Sequence, residues 1–274
     1  MDVVPVQNAK DLDRFIGYVY QRYKNHPYWV PPLRDDEKVR LTPGKNPFFQ
    51  HAEAAYFLAV DNGRVVGRIA ASVDKNHDSF HGERQVAFGF FEAESAAATS
   101  ALLAAAEAWG RGKGARILRG PLSFNTNDEC GLLIEGFDHS PMILNPYNLP
   151  EYGGWIESAG LRKAKDLYEW SVPVPHQPQP VFQRIAAMAR RRNQVQVRPM
   201  NMKRFDEELG RVKTVYNAAW EKNWGFVPMT DAEIDHMAKQ LKPAVIPDLV
   251  AFAEVDGAPV GFGLIIPDVN VALA

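Results

Sequence analysis

The apolar residues near the N-terminus have first the spacing of a strand and then the spacing of a helix. Residues 3–6 predict a short strand, and Asn8 with Asp11 three positions later predicts the start of a helix. Residues three or four positions apart form the apolar face of that helix: Leu12, Phe15, Ile16, Val19 and Tyr23. Prolines then recur over residues 25–51 and exclude long regular elements there.

A hairpin is the clearest element that follows. The β-rich runs AAYFLAV and RVVGRIAASV flank Asp61-Asn62-Gly63, and Asn-Gly favours the positive φ angles of a tight turn. Beyond it, an apolar run predicts a strand over residues 85–91. A helix is expected to begin at Ser95, and another strand is expected over residues 115–118.

The elements of the first 172 residues predict a mixed α/β fold. A short helix is expected over residues 152–159, and alternation over residues 165–172 predicts a closing strand. The resulting order is β-α-β-β-β-α-β-α-β. It favours a central, mostly antiparallel sheet flanked by helices, with one parallel crossover around the helix that begins at Ser95.

A Pro-rich segment divides the chain. SVPVPHQPQP holds four prolines in ten residues, which predicts a stiff linker. We therefore expect a complete domain at residues 1–172, a linker with an Arg-rich helix at residues 173–193, and a second domain at residues 194–274.

The second domain begins like the first. Pro199 and Gly261 are spaced as Pro5 and Gly67 are, with a strand, helix and hairpin in the same order, which favours a duplication. Little sequence follows Gly261, so we expect only the N-terminal half of a second copy, whose last strand would have an unpaired edge. The chain is then a fragment of a tandem protein, or another chain completes the sheet.

Composition narrows the functional classes. The 274 residues are 46% hydrophobic and 23% charged, as in soluble globular proteins. A net charge of −2 argues against general binding to nucleic acid or anionic lipid, although a local basic patch remains compatible with it. One cysteine, no signal-like start and no sufficiently long apolar run predict a cytoplasmic protein that makes no membrane contact.

The order of elements resembles that of the GNAT superfamily of N-acetyltransferases. The likeness covers most of residues 1–175, including the unit WIESAGLRKAKDLYEWSVPV, and its first half recurs in FVPMTDAEI and VAFAEVDGAPVGFGL. The resemblance implies an acyltransferase with acetyl-CoA as co-substrate and a primary amine as acceptor. The expected acceptor is a small molecule, and homo-oligomers are compatible with this interpretation.

The resemblance also implies a place for CoA. Pantetheine would bind along the fourth strand near Phe90 and Phe91, and the pyrophosphate would lie on N–H groups at Ser95 and Ala96. The loop here has no glycine and carries Glu92 and Glu94, whose charges would oppose phosphate. We therefore expect the first copy to be degenerate as a CoA site and the competent site to lie in the second copy.

The loop after the fifth strand is the main candidate for acceptor chemistry. Asp128 or Glu129 is a candidate general base, and Asn125, Asn127 and Cys130 are candidate substrate contacts. The alternative is a structural turn, since Asn and Asp side chains bond locally to the backbone. No activating histidine identifies Cys130 as a nucleophile.

Aromatic residues supply three further candidates. Tyr152 lies near the start of the last helix, where the resemblance implies a tyrosine general acid for the departing thiolate, and Tyr147 is a neighbouring substrate contact. Trp224 is a candidate acceptor contact in the second copy. A packing role is the more common explanation for the two tyrosines, and it explains Trp224 at least equally well.

Other features favour structural interpretations. His77 and His81 have the spacing of metal ligands on a helix, but we expect them in a loop without a third ligand, and hence no metal. Gly110-Arg111-Gly112-Lys113-Gly114 predicts a helix C-terminus rather than a phosphate loop. Arg184 and the arginines at 190–192 could contact an acidic partner, although a solvated helix end is the simpler interpretation.

Two functions therefore remain. One is an N-acyltransferase, and the other is a non-catalytic module that binds a small polar ligand or a subunit through the loop at residues 125–130. The second hypothesis explains the acidic, glycine-free loop at residues 91–98 more directly.

Overall fold

The computed structural model describes residues 1–174, 177–192 and 194–273. Pro175, His176, Asn193 and Ala274, which fall within the predicted linker and second domain, lie outside the described residues.

The chain forms two compact units, neither of which is continuous in sequence. The first contains Met1–Lys165, Asn223–Pro228 and Asp268–Ala274. The second contains Asp166–Lys222 and Met229–Pro267. The repeat proposed from the sequence stays a prediction.

The secondary structure is given in chain order. The strands are β1 (Asp2–Pro5), β2 (Ala52–Asp61), β3 (Arg64–Asp74), β4 (Gln85–Ala93), β5 (Ile117–Arg119), β6 (Gln196–Pro199), β7 (Val250–Val255) and β8 (Ala258–Leu264). The helices are α1 (Ala9–Arg22), α2 (Arg34–Arg40), α3 (Lys75–His81), α4 (Ala96–Gly112), α5 (Glu151–Ser158), α6 (Pro180–Arg192), α7 (Phe205–Trp220), α8 (Asp231–Leu241) and α9 (Asn270–Leu273). Short 3-10 helices cover Pro47–Gln50, Met202–Arg204, Lys242–Ala244 and Pro247–Leu249.

The first unit confirms the predicted fold class. Its sheet has the order β1-β2-β3-β4-β5, and every pairing is antiparallel except the parallel pair β4-β5. One apolar cluster packs α4 and α5 on one face, and another packs α1, Leu41 after α2 and the 3-10 helix Pro47–Gln50 on the opposite face. Apart from the additional helix α3, the order of elements through α5 is the one that the GNAT resemblance implies.

Local sequence signals account for the ends of these elements. The Asn8 side chain accepts a hydrogen bond from the Asp11 N–H at the start of α1, and Ser95 accepts from the Ala98 N–H at the start of α4. Asn62 and Gly63 adopt φ angles of 47° and 79° in the hairpin turn.

The second unit contains the antiparallel sheet β6-β7-β8. Phe252 is fully buried in its core with Met200 and Val250. A capping box begins α8, because Thr230 and Glu233 exchange hydrogen bonds there.

The predicted closing strand over residues 165–172 is wrong. This segment has no regular secondary structure, and Tyr168 and Trp170 are exposed. Alternation indicates which side chains share a face, but a strand also needs a neighbour for its backbone N–H and C=O groups. Within the described ranges, none of the helices is long and apolar enough to cross a membrane.

Gly89 permits a close backbone approach that shapes β4. A Cβ atom there would overlap the carbonyl oxygen of Leu122, a backbone atom with little freedom to move. We expect Gly89→Ala to lower the free energy of unfolding by about 3 kcal/mol, measured by urea denaturation.

The matched control is Gly154→Ala. Gly154 is exposed in α5 with open space around its Cα, so alanine should raise stability by about 0.5–1 kcal/mol through helix propensity. Equal stability of the two variants would contradict the proposed steric role of Gly89.

Candidate active site at the open half of β4

The site is built where β4 loses its strand neighbour. β5 pairs only with Gln85, Val86 and Ala87 of β4. At Phe90 the backbone turns to φ 46°, and the register with β3 shifts in the same region. Such a bulge bends the strand and interrupts its ladder.

The segment after β5 covers part of the exposed edge. The Leu122 N–H donates to the Phe88 carbonyl at 2.6 Å, and the Phe90 N–H donates to Ser123 Oγ at 3.3 Å. Beyond Phe90, none of the described strands pairs with this edge of β4.

Phe90 and Phe91, the predicted CoA contacts on β4, lie on opposite faces of the sheet. The Phe90 ring packs against Phe124 and beneath the Arg40 guanidinium, with a cation-to-centroid distance of 4.7 Å. The Phe91 ring packs edge-on against Tyr152, at a centroid distance of 5.5 Å. Both side chains are buried, so only their backbone is suited to contact a ligand.

Glu92 is the central titratable group of the site. Its Oε2 atom accepts hydrogen bonds from Tyr23 Oη at 2.9 Å and from Tyr152 Oη at 2.7 Å. Burial raises the pKa of the Glu92 carboxyl to about 7, against the opposing effects of Arg68, the two tyrosines and Arg22. A carboxyl with this pKa exchanges protons near neutral pH.

Tyr152, the predicted general acid, is fully buried beside Glu92. Its Oη also accepts the Ala93 N–H at 3.3 Å. Burial and the nearby Glu92 raise the pKa of the Tyr152 hydroxyl, so it keeps its proton at neutral pH. Tyr147, the predicted substrate contact, lies further out, where its ring meets Tyr23 at 6.1 Å and its hydroxyl donates to the Phe137 carbonyl.

The charge expected to repel phosphate is placed differently from the prediction. Glu92 is buried under the tyrosines, and Glu94 forms two hydrogen bonds with Arg64 at 2.8 and 2.7 Å. Ser95 and Ala96 remain exposed at the N-terminus of α4. The charge argument against a phosphate at this helix therefore loses its basis, while CoA binding itself stays a prediction.

A cavity of about 280 Å³ lies beside Glu94. It is lined by Tyr18, Gln21, Arg22, Arg64, Val65 and Glu94. Glu94 is paired with Arg64, so the lining keeps one net positive charge from Arg22. This charge and the helix N-terminus next to Glu94 favour an anionic ligand.

The predicted carboxylates of the 125–130 loop surround Arg40. Its guanidinium lies 3.5 Å from Asp128 Oδ1, 3.7 Å from Glu129 Oε1 and 3.3 Å from Glu37 Oε1. Burial raises the pKa of Glu129, and Arg40 opposes this shift. The cluster combines three carboxylates with one partly buried cation.

The amides of this loop form local structure. Asn125 Oδ1 accepts the Asn127 N–H at 2.8 Å, as in the turn interpretation. Asn127 and Thr126 donate to the carbonyls of Val227 and Gly225, respectively, and so hold the 223–228 segment.

Cys130 and Trp224 occupy different surroundings. Burial, followed by Asp128, raises the pKa of the Cys130 thiol, so the thiolate is disfavoured. Trp224 is partly exposed, and the Arg119 guanidinium lies 5.8 Å from its ring.

The loop prediction for His77 and His81 is wrong, because both lie on α3. Asp74 caps this helix by accepting the Asn76 N–H, and Gly82 ends it in the left-handed conformation. Among the described residues, no group of three or more His, Cys, Asp or Glu side chains is arranged to hold a metal ion.

The sequence analysis missed the roles of Glu92, Tyr23 and Arg40. It ended the strand at Phe91 and so placed Glu92 in a loop. The apolar Ala93 that follows is the signal that β4 continues through a buried glutamate.

Two curated proteins are similar to the chain over nearly its whole length. Protein YghO of Escherichia coli is 37% identical over 97% of this chain and 68% of its own length. The bacterial ceramide synthase of Caulobacter vibrioides is 36% identical over the whole chain and 72% of its own length. No family model matches the chain.

Solved structures overlap more weakly. The match with a probable acetyltransferase covers 65% of this chain and the whole of that protein, with 13% identity and a TM-score of 0.39. A second match is with a fungal multi-domain β-N-acetylglucosaminidase that contains a GCN5-related glucosamine N-acetyltransferase region. It covers 95% of this chain and 27% of that protein, with 12% identity and a TM-score of 0.47.

Glu92 should give stability a distinct pH dependence. Its folded pKa of about 7 exceeds the ordinary value of 4.5, so the folded state binds the extra proton and loses stability as pH rises between these values. We expect Glu92→Gln to remove this loss, which amounts to about 2 kcal/mol between about pH 5.5 and pH 8. Urea unfolding at both pH values measures it.

Glu53→Gln is the matched control. Glu53 is exposed, and its hydrogen bond from Lys113 lowers its pKa, so it stays ionised over this range. A stability difference between wild type and Glu92→Gln that is independent of pH would contradict the raised pKa of Glu92.

Proposed function

Since this chain belongs to the family of Protein YghO and the bacterial ceramide synthase, we propose that it is an N-acyltransferase using an acyl-CoA donor. The proposed acceptor is the primary amine of a long-chain amino alcohol, because a ceramide is the amide of such an amine with a fatty acid. The ceramide synthase likeness favours a long acyl group over the acetyl group that the GNAT resemblance implies. Buried Glu92, with a pKa near 7, carries the catalytic part of the proposal.

Glu92 is proposed as the general base. The acceptor amine must lose a proton to attack the thioester carbonyl, and a base with a pKa near the working pH combines availability with proton affinity. We prefer Glu92 to Asp128 and Glu129, because its Oε2 atom is hydrogen-bonded to the hydroxyls of Tyr23 and Tyr152. Asp128 and Glu129 instead lie beside the Arg40 guanidinium. Those two carboxylates remain candidates for contacting the acceptor ammonium.

Tyr152 is proposed as the general acid. A C–N bond forms and the C–S bond breaks, so the departing thiolate needs a proton. Tyr152 would supply it and recover one from Glu92 across their 2.7 Å hydrogen bond. The acceptor ammonium loses two protons on becoming an amide nitrogen. One passes through Glu92 and Tyr152 to the thiolate and the other is released to solvent, so both side chains return to their initial states.

The α4 N-terminus is proposed to hold the CoA pyrophosphate. Ser95 and Ala96 are exposed there, and Arg22 and Arg64 line the adjacent cavity. The pantetheine would run along the open half of β4, where a backbone N–H can stabilise the developing oxyanion.

The non-catalytic alternative loses its main support. It relied on Glu92 and Glu94 facing a ligand site, but Glu92 is buried and Glu94 is paired with Arg64. None of the described contacts favours it over the enzyme.

Activity should depend on Glu92. With a long-chain acyl-CoA and a long-chain amino alcohol, we expect Glu92→Gln to lower kcat/KM by a factor of about 10²–10⁴. The wild-type rate should fall as pH drops through about 7, because the base becomes protonated. Thiol release measures both.

Glu53→Gln should keep the wild-type rate, since Glu53 is exposed on β2 and paired with Lys113. Failure of the wild-type protein to acylate any long-chain amine would overturn the proposed function. Full activity of Glu92→Gln would overturn only the assignment of the base.

CoA affinity should respond to charge at the start of α4. Ala96→Glu places a carboxylate where phosphate is proposed, and we expect it to weaken CoA binding about tenfold by calorimetry. A glutamate in the first turn of a helix interacts favourably with the helix dipole, so the variant should still fold.

Ala104→Glu adds the same charge at an exposed position further along α4 and should leave CoA affinity nearly unchanged. Equal weakening by both substitutions would contradict a phosphate site at the helix N-terminus.

A further inference from the structure

Helix α6 has an apolar face that is exposed to solvent. Helical spacing places four apolar residues on one side, and each is more than two-fifths exposed: Val181, Phe182, Ile185 and Met188. A helix of a globular protein ordinarily buries such a face against its core. Here neither Phe182, at 61% exposed, nor Ile185, at 52%, is covered by the described residues.

Arginines border the apolar face of α6. Arg184 and Arg191 lie one turn from Met188 and flank this face, Arg190 lies on the opposite side, and the helix contains no acidic residue. Within the described ranges, none of these three arginines forms an ion pair, whereas nearby Arg198 and Arg204 bind glutamates.

The charge bias extends beyond the helix. No aspartate or glutamate occurs between Glu169 and Asp206, a stretch that contains seven lysines and arginines. The net charge of −2 for the whole chain hides this local excess. A strong basic field with an apolar stripe is typical of segments that lie on anionic membranes.

Two exposed aromatic residues precede α6 in the same unit. Tyr168 is 77% exposed and Trp170 is 80% exposed, and their ring centroids lie 6.1 Å apart. Tyrosine and tryptophan favour the interface between lipid and water because each joins an apolar ring to a polar group.

We propose that α6 binds the surface of an anionic lipid bilayer. Val181, Phe182, Ile185 and Met188 enter the boundary between headgroups and acyl chains, while the arginines contact lipid phosphates. The helix is about 20 Å long, which suits a position parallel to the membrane surface. This inference rests on the helix and its charge, and it does not depend on the proposed reaction.

The first test is vesicle flotation of the 274-residue chain. We expect it to bind vesicles of equimolar phosphatidylcholine and phosphatidylglycerol and to bind pure phosphatidylcholine far more weakly. The triple variant Arg184→Gln, Arg190→Gln, Arg191→Gln should weaken binding by about two orders of magnitude, since each basic residue near the surface contributes about 1 kcal/mol.

A matched triple variant controls for net charge. Lys10, Lys24 and Lys45 are exposed, and Lys10→Gln, Lys24→Gln, Lys45→Gln changes the total charge equally at a distance in sequence from α6. It should bind as the wild type does. Equal weakening by both triple variants would overturn the proposal.

The apolar face is tested by Phe182→Ser with Ile185→Ser. These side chains are exposed, so the variant should fold normally by circular dichroism and lose at least tenfold in vesicle affinity. Two results would overturn the proposal: absence of binding to anionic vesicles, and a dimer that this variant abolishes while lipid has no effect, which would assign the face to a second copy.

Discussion

The interruption of strand pairing at Phe90 is the constraint on which the first unit depends. A non-glycine residue with positive φ costs about 1 kcal/mol, and here packing against Phe124 and Arg40 offsets that cost. Gly89 lets Leu122 approach, so the interrupted backbone finds other partners. The last residues of β4 are thereby released from a strand neighbour, and Glu92 meets Tyr152 at the edge that results.

Charge is distributed around this edge in two linked groups. The positive charges of Arg22 and Arg68 oppose the rise in the pKa of Glu92. Those of Arg40 and Arg68 do the same for Glu129. A buried carboxyl with two tyrosine donors stays near its point of half-ionisation because desolvation and cation attraction oppose each other. The balance keeps a carboxyl with a pKa near neutral beside open backbone, and the proposed acyl transfer relies on this arrangement.

Elements fixed by neighbouring residues were predictable from the sequence. The cap at Asn8, the cap at Ser95 and the Asn62-Gly63 turn depend on contacts within a few positions, and each is confirmed. The same holds for the mostly antiparallel sheet, whose hairpin and crossover follow from element order.

Features that depend on distant residues were not predictable. The alternation over residues 165–172 cannot supply a partner strand, and the partners of Glu92 come from α1 and α5. Asp74 and Gly82 signal the ends of α3, but this helix was taken for a loop because its sequence, KNHDSFH, lacks an apolar face. The net charge of the whole chain likewise did not reveal the local excess of positive charge around α6.

Residues 223–228 give the first unit an unusual dependence on the order of synthesis. The carbonyls of Gly225, Phe226 and Val227 are held by Thr126, His81 and Asn127, respectively, all of which leave the ribosome long before them. Until residue 228 emerges, the growing chain must carry an unfinished surface at the 125–127 loop. Completion of the first unit is therefore timed by translation of the second, and a premature stop in the second half leaves the first half unfinished as well.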